Sequence, residues 1–408
     1  MTRTEQRLED ALHAKAGTVR TDQMRPLAQP RQRSVRVRTW LAPVAAAAAV
    51  ALAIGLAVTI TGHVHSTRAP QPVAPATAIA PPRYYAQIVG TLTHAQLVVR
   101  STATGAVIGR PVNPAAAVEP RQDSFGPVEV AAAPDDRTFY VEFSLGTRTL
   151  IYSFGITDRA TVTSMTQVKG GVLNIQGYAL DVGNLAVSPD GTSLALTVDA
   201  PYSAKTSGVA DEIVVLDLRT GTRRVWQGGL YKRGNLFSIQ SLSWSGTGTL
   251  DFLSAWCTSA DPSCVQSDAT NWDAQIRSLN VASGGGSLAN STVLLRESAT
   301  YPNIASMVAD QQGGLSVVLL SGPDAWDHEP TSVTVDQVQA SSGALQRVLY
   351  HHGFHAQAAK SLYFYTIGAD PTGRYLTLSI SLGTYYLAGW LDRGVIRPVP
   401  DPADGIVW

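Results

Sequence analysis

Residues 185–226 read LAVSPDGTSLALTVDAPYSAKTSGVADEIVVLDLRTGTRRVW, and this stretch decides the fold. Leu185–Val187 is a short apolar run that Ser188, Pro189, Asp190 and Gly191 turn back, each a residue with a local reason to bend the chain. Leu194, Leu196 and Val198 then alternate with Ser193, Ala195 and Thr197, the period-two pattern of a half-buried strand. After a polar loop, Ile213-Val214-Val215-Leu216 is too short for a convincing helix and rich in β-branched residues, so it reads as a buried strand. Thr220-Gly221 turns the chain again into Arg223–Gln227, the fourth strand. Four antiparallel strands in about 45 residues make one blade of a β-propeller.

The first half of this unit recurs as VAAAPDDRTFYVEF (130–143), SWSGTGTLDFL (243–253), VADQQGGLSVVLL (308–320) and TIGADPTGRYLTLSI (366–380). The second half recurs as hairpins at 97–112, 150–165, 276–288, 333–349 and 386–399. Copies start roughly 55–65 residues apart, a period of propellers or solenoids. The first unit, 84–112, lacks an innermost strand, and Ile406–Trp408 is placed to supply it, because an open ring would leave an exposed sheet edge. The fold class is therefore all-β, a six-bladed β-propeller within a range of five to seven, preceded by a single transmembrane helix. The 35 Gly and 23 Pro suit many turns between short strands.

The SPDG turn followed by an alternating strand and a V-L-D-L-x-T-G hairpin resembles the repeat of TolB-like and WD40-like bacterial propellers, most strongly in 185–226. No Trp-Asp dipeptide closes a strand in WD40 fashion. The overall plan resembles bacterial membrane-anchored propeller proteins without assigned activity, which implies a fold and a binding role and carries over no catalytic residue.

Ahead of the β region lie three other segments. Residues 1–39 hold nine Lys/Arg and four Asp/Glu, a net charge of +5 that the rest of the chain balances at −5. That balance makes the C-terminal part a poor nucleic-acid binder. Thr2 and Glu5 have capping-box spacing, and Leu8, Ala11, Leu12, Ala16 and Val19 follow at helical intervals. The segment reads as a frayed cytoplasmic tail or as a docking helix of the kind membrane-bound anti-sigma factors place here. It has His13 but no cysteine, which excludes the zinc-bearing version. Residues 40–61, WLAPVAAAAAVALAIGLAVTIT, carry no charge and are long enough to cross a bilayer. Arg31, Arg33, Arg36 and Arg38 precede them, which predicts the N-terminus in the cytoplasm and 84–408 outside. A cleaved signal peptide fits less well, because its n-region would be far too long. Residues 62–83 are Pro/Ala-rich and read as an extended stalk, with His63 and His65 lacking a third ligand.

Candidate site residues lie in the propeller. Loops between second and third strands, and between blades, share one face, and several are long: 199–211, 254–273, 321–331, 227–238 and 350–361. They hold Tyr202, Tyr231, Phe237, Trp256, Trp272, Trp326 and Phe354, aromatic residues of the kind enriched at recognition sites. Packing within their own loops is the competing role. Trp226, Trp244 and Trp390 sit in strand-like runs and are expected to be structural. Cys257 and Cys264 flank TSADPS, and outside the membrane a disulfide is expected between them. His351, His352 and His355, with Asp324, Asp327, His328 and Glu329 in the neighbouring loop, are the weak metal candidates, against the plainer reading of two solvated loops. No GxSxG, HExxH or P-loop occurs, and no motif asks for a cofactor.

The function expected is a membrane-tethered, non-catalytic propeller that binds an extracytoplasmic protein, peptide or glycan through its long-loop face. The alternatives are a transmembrane signalling protein, in which outside binding alters how 1–39 engages a cytoplasmic regulator, and a metal-dependent hydrolase using the His-rich loops.

Overall fold

The computed structural model of the chain describes residues 81–89, 96–112, 127–145, 148–174, 184–199, 211–228, 237–257, 272–311, 313–322, 330–354, 362–370, 375–382, 385–392, 394–399 and 406–407. The expected tail, span and nearly all of the stalk lie outside them. Among the described residues no helix is long and apolar enough to cross a membrane.

Blade 1 holds β1 (Tyr84–Val89) and β2 (Gln96–Ser101). Blade 2 holds β3 (Pro127–Ala132), β4 (Thr138–Leu145), β5 (Arg148–Gly155) and β6 (Thr166–Asn174). Blade 3 holds β7 (Leu185–Val187), β8 (Ser193–Asp199), β9 (Asp211–Asp217) and β10 (Arg223–Gln227). Blade 4 holds β11 (Phe237–Gly246), β12 (Thr249–Cys257), β13 (Trp272–Asn280) and β14 (Thr292–Arg296). Blade 5 holds β15 (Ile304–Ala309), β16 (Gly314–Ser321), β17 (Ser332–Gln339) and β18 (Ala344–Gly353). Blade 6 holds β19 (Leu362–Ala369), β20 (Leu376–Leu382), β21 (Tyr385–Asp392) and β22 (Val395–Pro398). The last strand, β23 (Ile406–Val407), returns to blade 1.

Five sheets are thus four-stranded meanders, and the other has the order β2-β1-β23. β23 pairs antiparallel with β1, Ala86 opposite Val407 and Gln87 opposite Ile406. The innermost strands touch in sequence, β3 to β7, β7 to β11, β11 to β15 and β15 to β19, while β23 touches both β19 and β3. The ring is closed by its C-terminal strand, as the incomplete first unit predicts.

A propeller blade is buried on both faces, and this corrects the half-buried reading of β8. Leu194, Leu196 and Val198 pack toward blade 2, whereas Ala195 packs toward blade 4, and Thr197 is also buried. Each seam between neighbours has its own apolar cluster. Phe139, Val141 and Phe143 fill seam 1–2, and Ile213, Trp226, Trp244 and Phe252 fill seam 3–4. Tyr85 and Trp390 meet across seam 6–1 with ring centroids 6.4 Å apart.

The turns into the second strands repeat one device. An Asp at the start accepts backbone N–H bonds from residues at the exit: Asp135 from Thr138 (2.8 Å), Asp190 from Thr192 (3.1 Å), Asp310 from Gly314 (2.7 Å) and Asp370 from Tyr375 (2.7 Å). The carboxylate satisfies donors that a tight turn leaves without a partner strand.

Two fourth strands lie later in the chain than the sequence pattern suggests. In blade 2, residues 156–163 form a small excursion with Ile156 bridged to Val162, and the fourth strand is β6. In blade 4, the Gly-rich segment 284–286 leaves its own sheet and lies along the edge of blade 3. There Gln227 N–H donates to Gly286 (3.0 Å) and Gly286 N–H donates to Val225 (2.9 Å). Consecutive arginines secure the same edge from both sides. Arg223 donates to the carbonyls of Gly170 (Nε, 2.8 Å) and Val172 in blade 2, and Arg224 donates to the carbonyl of Val281 in blade 4. Only glycine fits at 285, where φ is +110° and a Cβ would lie 2.8 Å from the Val225 oxygen. Gly285→Ala is therefore expected to cost about 1–3 kcal/mol in a urea titration. Gly284→Ala, with open space around it, should stay within about 0.5 kcal/mol of the parent.

Candidate functional site

Antiparallel order places all connections between second and third strands, and all connections between blades, at one end of the ring. Three of them leave adjacent blades: 200–210 from blade 3, 258–271 from blade 4 and 323–329 from blade 5. The segments 229–236 and 355–361 join at the same end. The opposite end carries the Asp-stapled turns and the Thr220-Gly221 type of tight hairpin.

The strands of blade 4 run further than the sequence suggests. Trp256 and Trp272 are not in the loop interior but at its base, in β12 and β13, with Trp256 opposite Asp273 and Cys257 opposite Trp272. The ladder continues because alternating Phe252, Ser254 and Trp256 still match Arg277, Gln275 and Asp273 across the sheet. Phe237 likewise begins β11, opposite Trp256. Tyr202, Tyr231, Trp326, His328, His355 and Cys264 lie outside the described residues, and the Cys257–Cys264 pairing therefore lies there too.

Sequence reasoning missed the carboxyl groups at this end. Glu297 accepts N–H bonds from Ala274 (3.0 Å) and from Asn303 (2.6 Å), so it pins the chain between blades 4 and 5 beside the base of the 258–271 connection. Burial raises its pKa, the two backbone donors oppose that, and Asp273 nearby adds to the rise. Burial also raises the pKa of Asp273, against the attraction of Arg296. The signal available in the sequence was only a lone Glu in a polar linker, RESATYPN, with nothing to show that it turns inward.

The 350–361 segment also differs from the loop predicted, because β18 continues through Gly353. His351 is opposite Thr334 and its Nδ1 lies 3.0 Å from the Thr334 hydroxyl. His352, next along the strand, projects to the other face. Its ring stacks on Tyr350 at 6.3 Å and meets Phe354 edge-on at 5.2 Å. Alternation on a strand keeps these two histidines from sharing one ligand. Phe354 is half-buried and packs against the apolar cluster between blades 5 and 6. Among the described residues no group of three or more His, Cys, Asp or Glu is placed to hold a metal ion.

A shallow groove of about 680 Å³ runs between the outer strands of blades 4 and 5, lined by Leu294, Leu295, Tyr301, Gly343 and Leu345. The Tyr301 hydroxyl donates to the Gly343 carbonyl at 2.8 Å and closes its floor.

No family model and no curated protein matches the chain. Solved structures do. TolB from Acinetobacter baumannii is 14% identical, with a TM-score of 0.46, over 88% of this chain and 71% of that one. The periplasmic gluconolactonase PpgL of Pseudomonas aeruginosa is 14% identical, with a TM-score of 0.38, over 80% of this chain and 99% of that one. The AtxE2 isopeptidase is 12% identical, with a TM-score of 0.34, over 78% and 50%. These likenesses concern the fold alone. By its own sheet order the described part of the chain is a closed β-propeller.

Proposed function

We propose that this chain is a membrane-tethered binding propeller that engages an extracytoplasmic protein, peptide or glycan through the end of the ring that carries the long connections. One observation supports this reading above the others: three adjacent blades send out their second-to-third-strand connections side by side, from a scaffold whose seams are fully packed. Long loops on a rigid frame are where recognition surfaces are built. These loops carry Tyr202 and Trp326, with Trp256 and Trp272 at the base of the middle one. The tether rests on the uncharged 40–61 segment and the arginines before it.

A photo-crosslinking amino acid installed in place of Tyr202 or Trp326 in living cells is expected to give a covalent adduct. The same reagent at Thr220 or Ser342, on the tight-turn end, should give none. Protease added outside should then degrade the adduct. Adducts confined to the tight-turn positions would overturn the site, and a protected propeller would overturn the address. Trp326→Ala should leave the melting temperature within about 2 °C of the parent, as exposed-loop truncations do, and abolish the adduct formed from position 202.

A further inference from the structure

The turn into the second strand of blade 2 departs from its counterpart in blade 3 at its last residue. Ala133-Pro134-Asp135-Asp136 aligns with Ser188-Pro189-Asp190-Gly191, and the same bond closes both: Asp136 N–H donates to the Ala133 carbonyl (3.2 Å) and Gly191 N–H to the Ser188 carbonyl (2.8 Å). The first aspartate of each pair staples its own turn. The last position is left-handed in both, with φ +57° at Asp136 and +70° at Gly191. Glycine takes that conformation freely, whereas a residue with a Cβ is strained there. Among the described residues Asp136, Ala160 and Asn303 are the non-glycine residues at positive φ. A strained residue where glycine would serve points to a task for its side chain.

That side chain reaches the point where the chain enters the ring. The Asp136 carboxylate accepts the backbone N–H of Arg83 (Oδ2, 2.7 Å) and that of Tyr84. The Arg83 carbonyl accepts the N–H of Thr102 (2.9 Å), from the tight turn after β2. Arg83 is exposed, yet its main chain is bonded on both sides, to blade 2 and to blade 1. It immediately precedes β1, the strand whose Ala86 and Gln87 hold β23 and close the ring. Both turns that grip Arg83 belong to the tight-turn end, so the chain enters there, and the long connections leave from the other end. Strands of eight or nine residues at about 3.3 Å per residue set the two ends roughly 25–30 Å apart.

We propose that Asp136 is a clamp for the tether: it fixes the incoming chain to the tight-turn end of the ring, so that the end carrying the long connections is presented away from the attachment, to a macromolecular partner that approaches from the surrounding medium rather than from the lipid. This rests on the reading of the chain as a tethered binding propeller. The strain at Asp136 is offset by bonds from two main-chain donors to a charged acceptor, the stronger kind of hydrogen bond. The clamp takes up a pull on the incoming chain before it reaches β1 and the two pairs, Ala86 with Val407 and Gln87 with Ile406, that close the ring.

The test compares the parent with Asp136→Gly, which restores the residue the turn favours and removes the carboxylate, and with Asp136→Asn, which tolerates the left-handed conformation and keeps an acceptor. Hydrogen exchange on the full-length chain should find the Arg83 and Tyr84 amides about tenfold less protected in Asp136→Gly. Asp136→Asn should restore part of that protection, and the Thr138 amide, held by Asp135, should not change in either variant. Equal exchange at Arg83 and Tyr84 in parent and Asp136→Gly would overturn the clamp. So would an equally large loss at Thr138, which would make Asp136 a residue of the turn alone. Orientation is read on the full-length chain reconstituted in phosphatidylcholine vesicles, by energy transfer from a fluorescent amino acid to a labelled lipid. Transfer from position 220 or 342 should be about twofold or more stronger than from position 202 or 326, given ends roughly 25–30 Å apart. Equal or reversed transfer would overturn the orientation and leave the tether standing. No transfer from any position would refute the tethered reading itself, and exchange at Arg83 would still decide the clamp.

Discussion

Replacing Trp244 by Ala is expected to destabilise the folded chain by about 3–5 kcal/mol, the usual loss for a buried aromatic ring. Trp244 is 5% exposed and lies in seam 3–4 among Ala195, Ile213, Trp226, Leu250 and Phe252. Its indole N–H donates to the Ala186 carbonyl at 3.0 Å, so the substitution removes both the packing of one seam and a bond between two inner strands. The cavity would open between rigid sheets that cannot collapse into it, which favours the upper part of the range. Chemical unfolding followed by circular dichroism reads the effect without depending on tryptophan emission. A loss below about 1 kcal/mol would mean that the seam is not close-packed.

Removing residues 406–408 should have a comparable effect through a different cause. Ile406 and Val407 supply the inner strand of blade 1, and without them β1 has a free edge toward the central axis. Each ladder hydrogen bond between β23 and β1 contributes about 1 kcal/mol. The truncated chain is expected to unfold at a urea concentration lower by the equivalent of about 2–3 kcal/mol. It should also self-associate, because an unpaired strand edge is a template for another chain. A truncated chain as stable and as monomeric as the parent would show that β23 contributes nothing to the ring.

The fold was readable because turn chemistry and period-two alternation act locally. Asp190 and Gly191 mark their turn whatever lies around them, and Leu194, Leu196 and Val198 mark a buried strand face. Ring closure was readable from an absence, the missing inner strand before Tyr84. The fourth strands of blades 2 and 4 were misplaced because long-range contacts decide them. Nothing near Gly284–Gly286 says that this segment will bond to Val225 and Gln227 of another blade. Strand ends failed for the same reason: Trp256, Trp272 and His351 read as loop residues until their partners across the sheet are known. Glu129 and Glu142 are thirteen positions apart in sequence, and only the register of β3 on β4 sets the two residues opposite each other.

The ring itself is tested most directly by hydrogen exchange at the β1 amides, Tyr85 to Ile88, in the full-length chain and in the chain ending at residue 405. β1 is hydrogen-bonded on one side to β2 and on the other to β23. The closed ring predicts strong protection at Ala86 and Gln87 in the intact chain and a loss of it on truncation, with β2 and its partner amides on the outer side less affected. Equal exchange at these amides in both chains would contradict closure by the C-terminal strand.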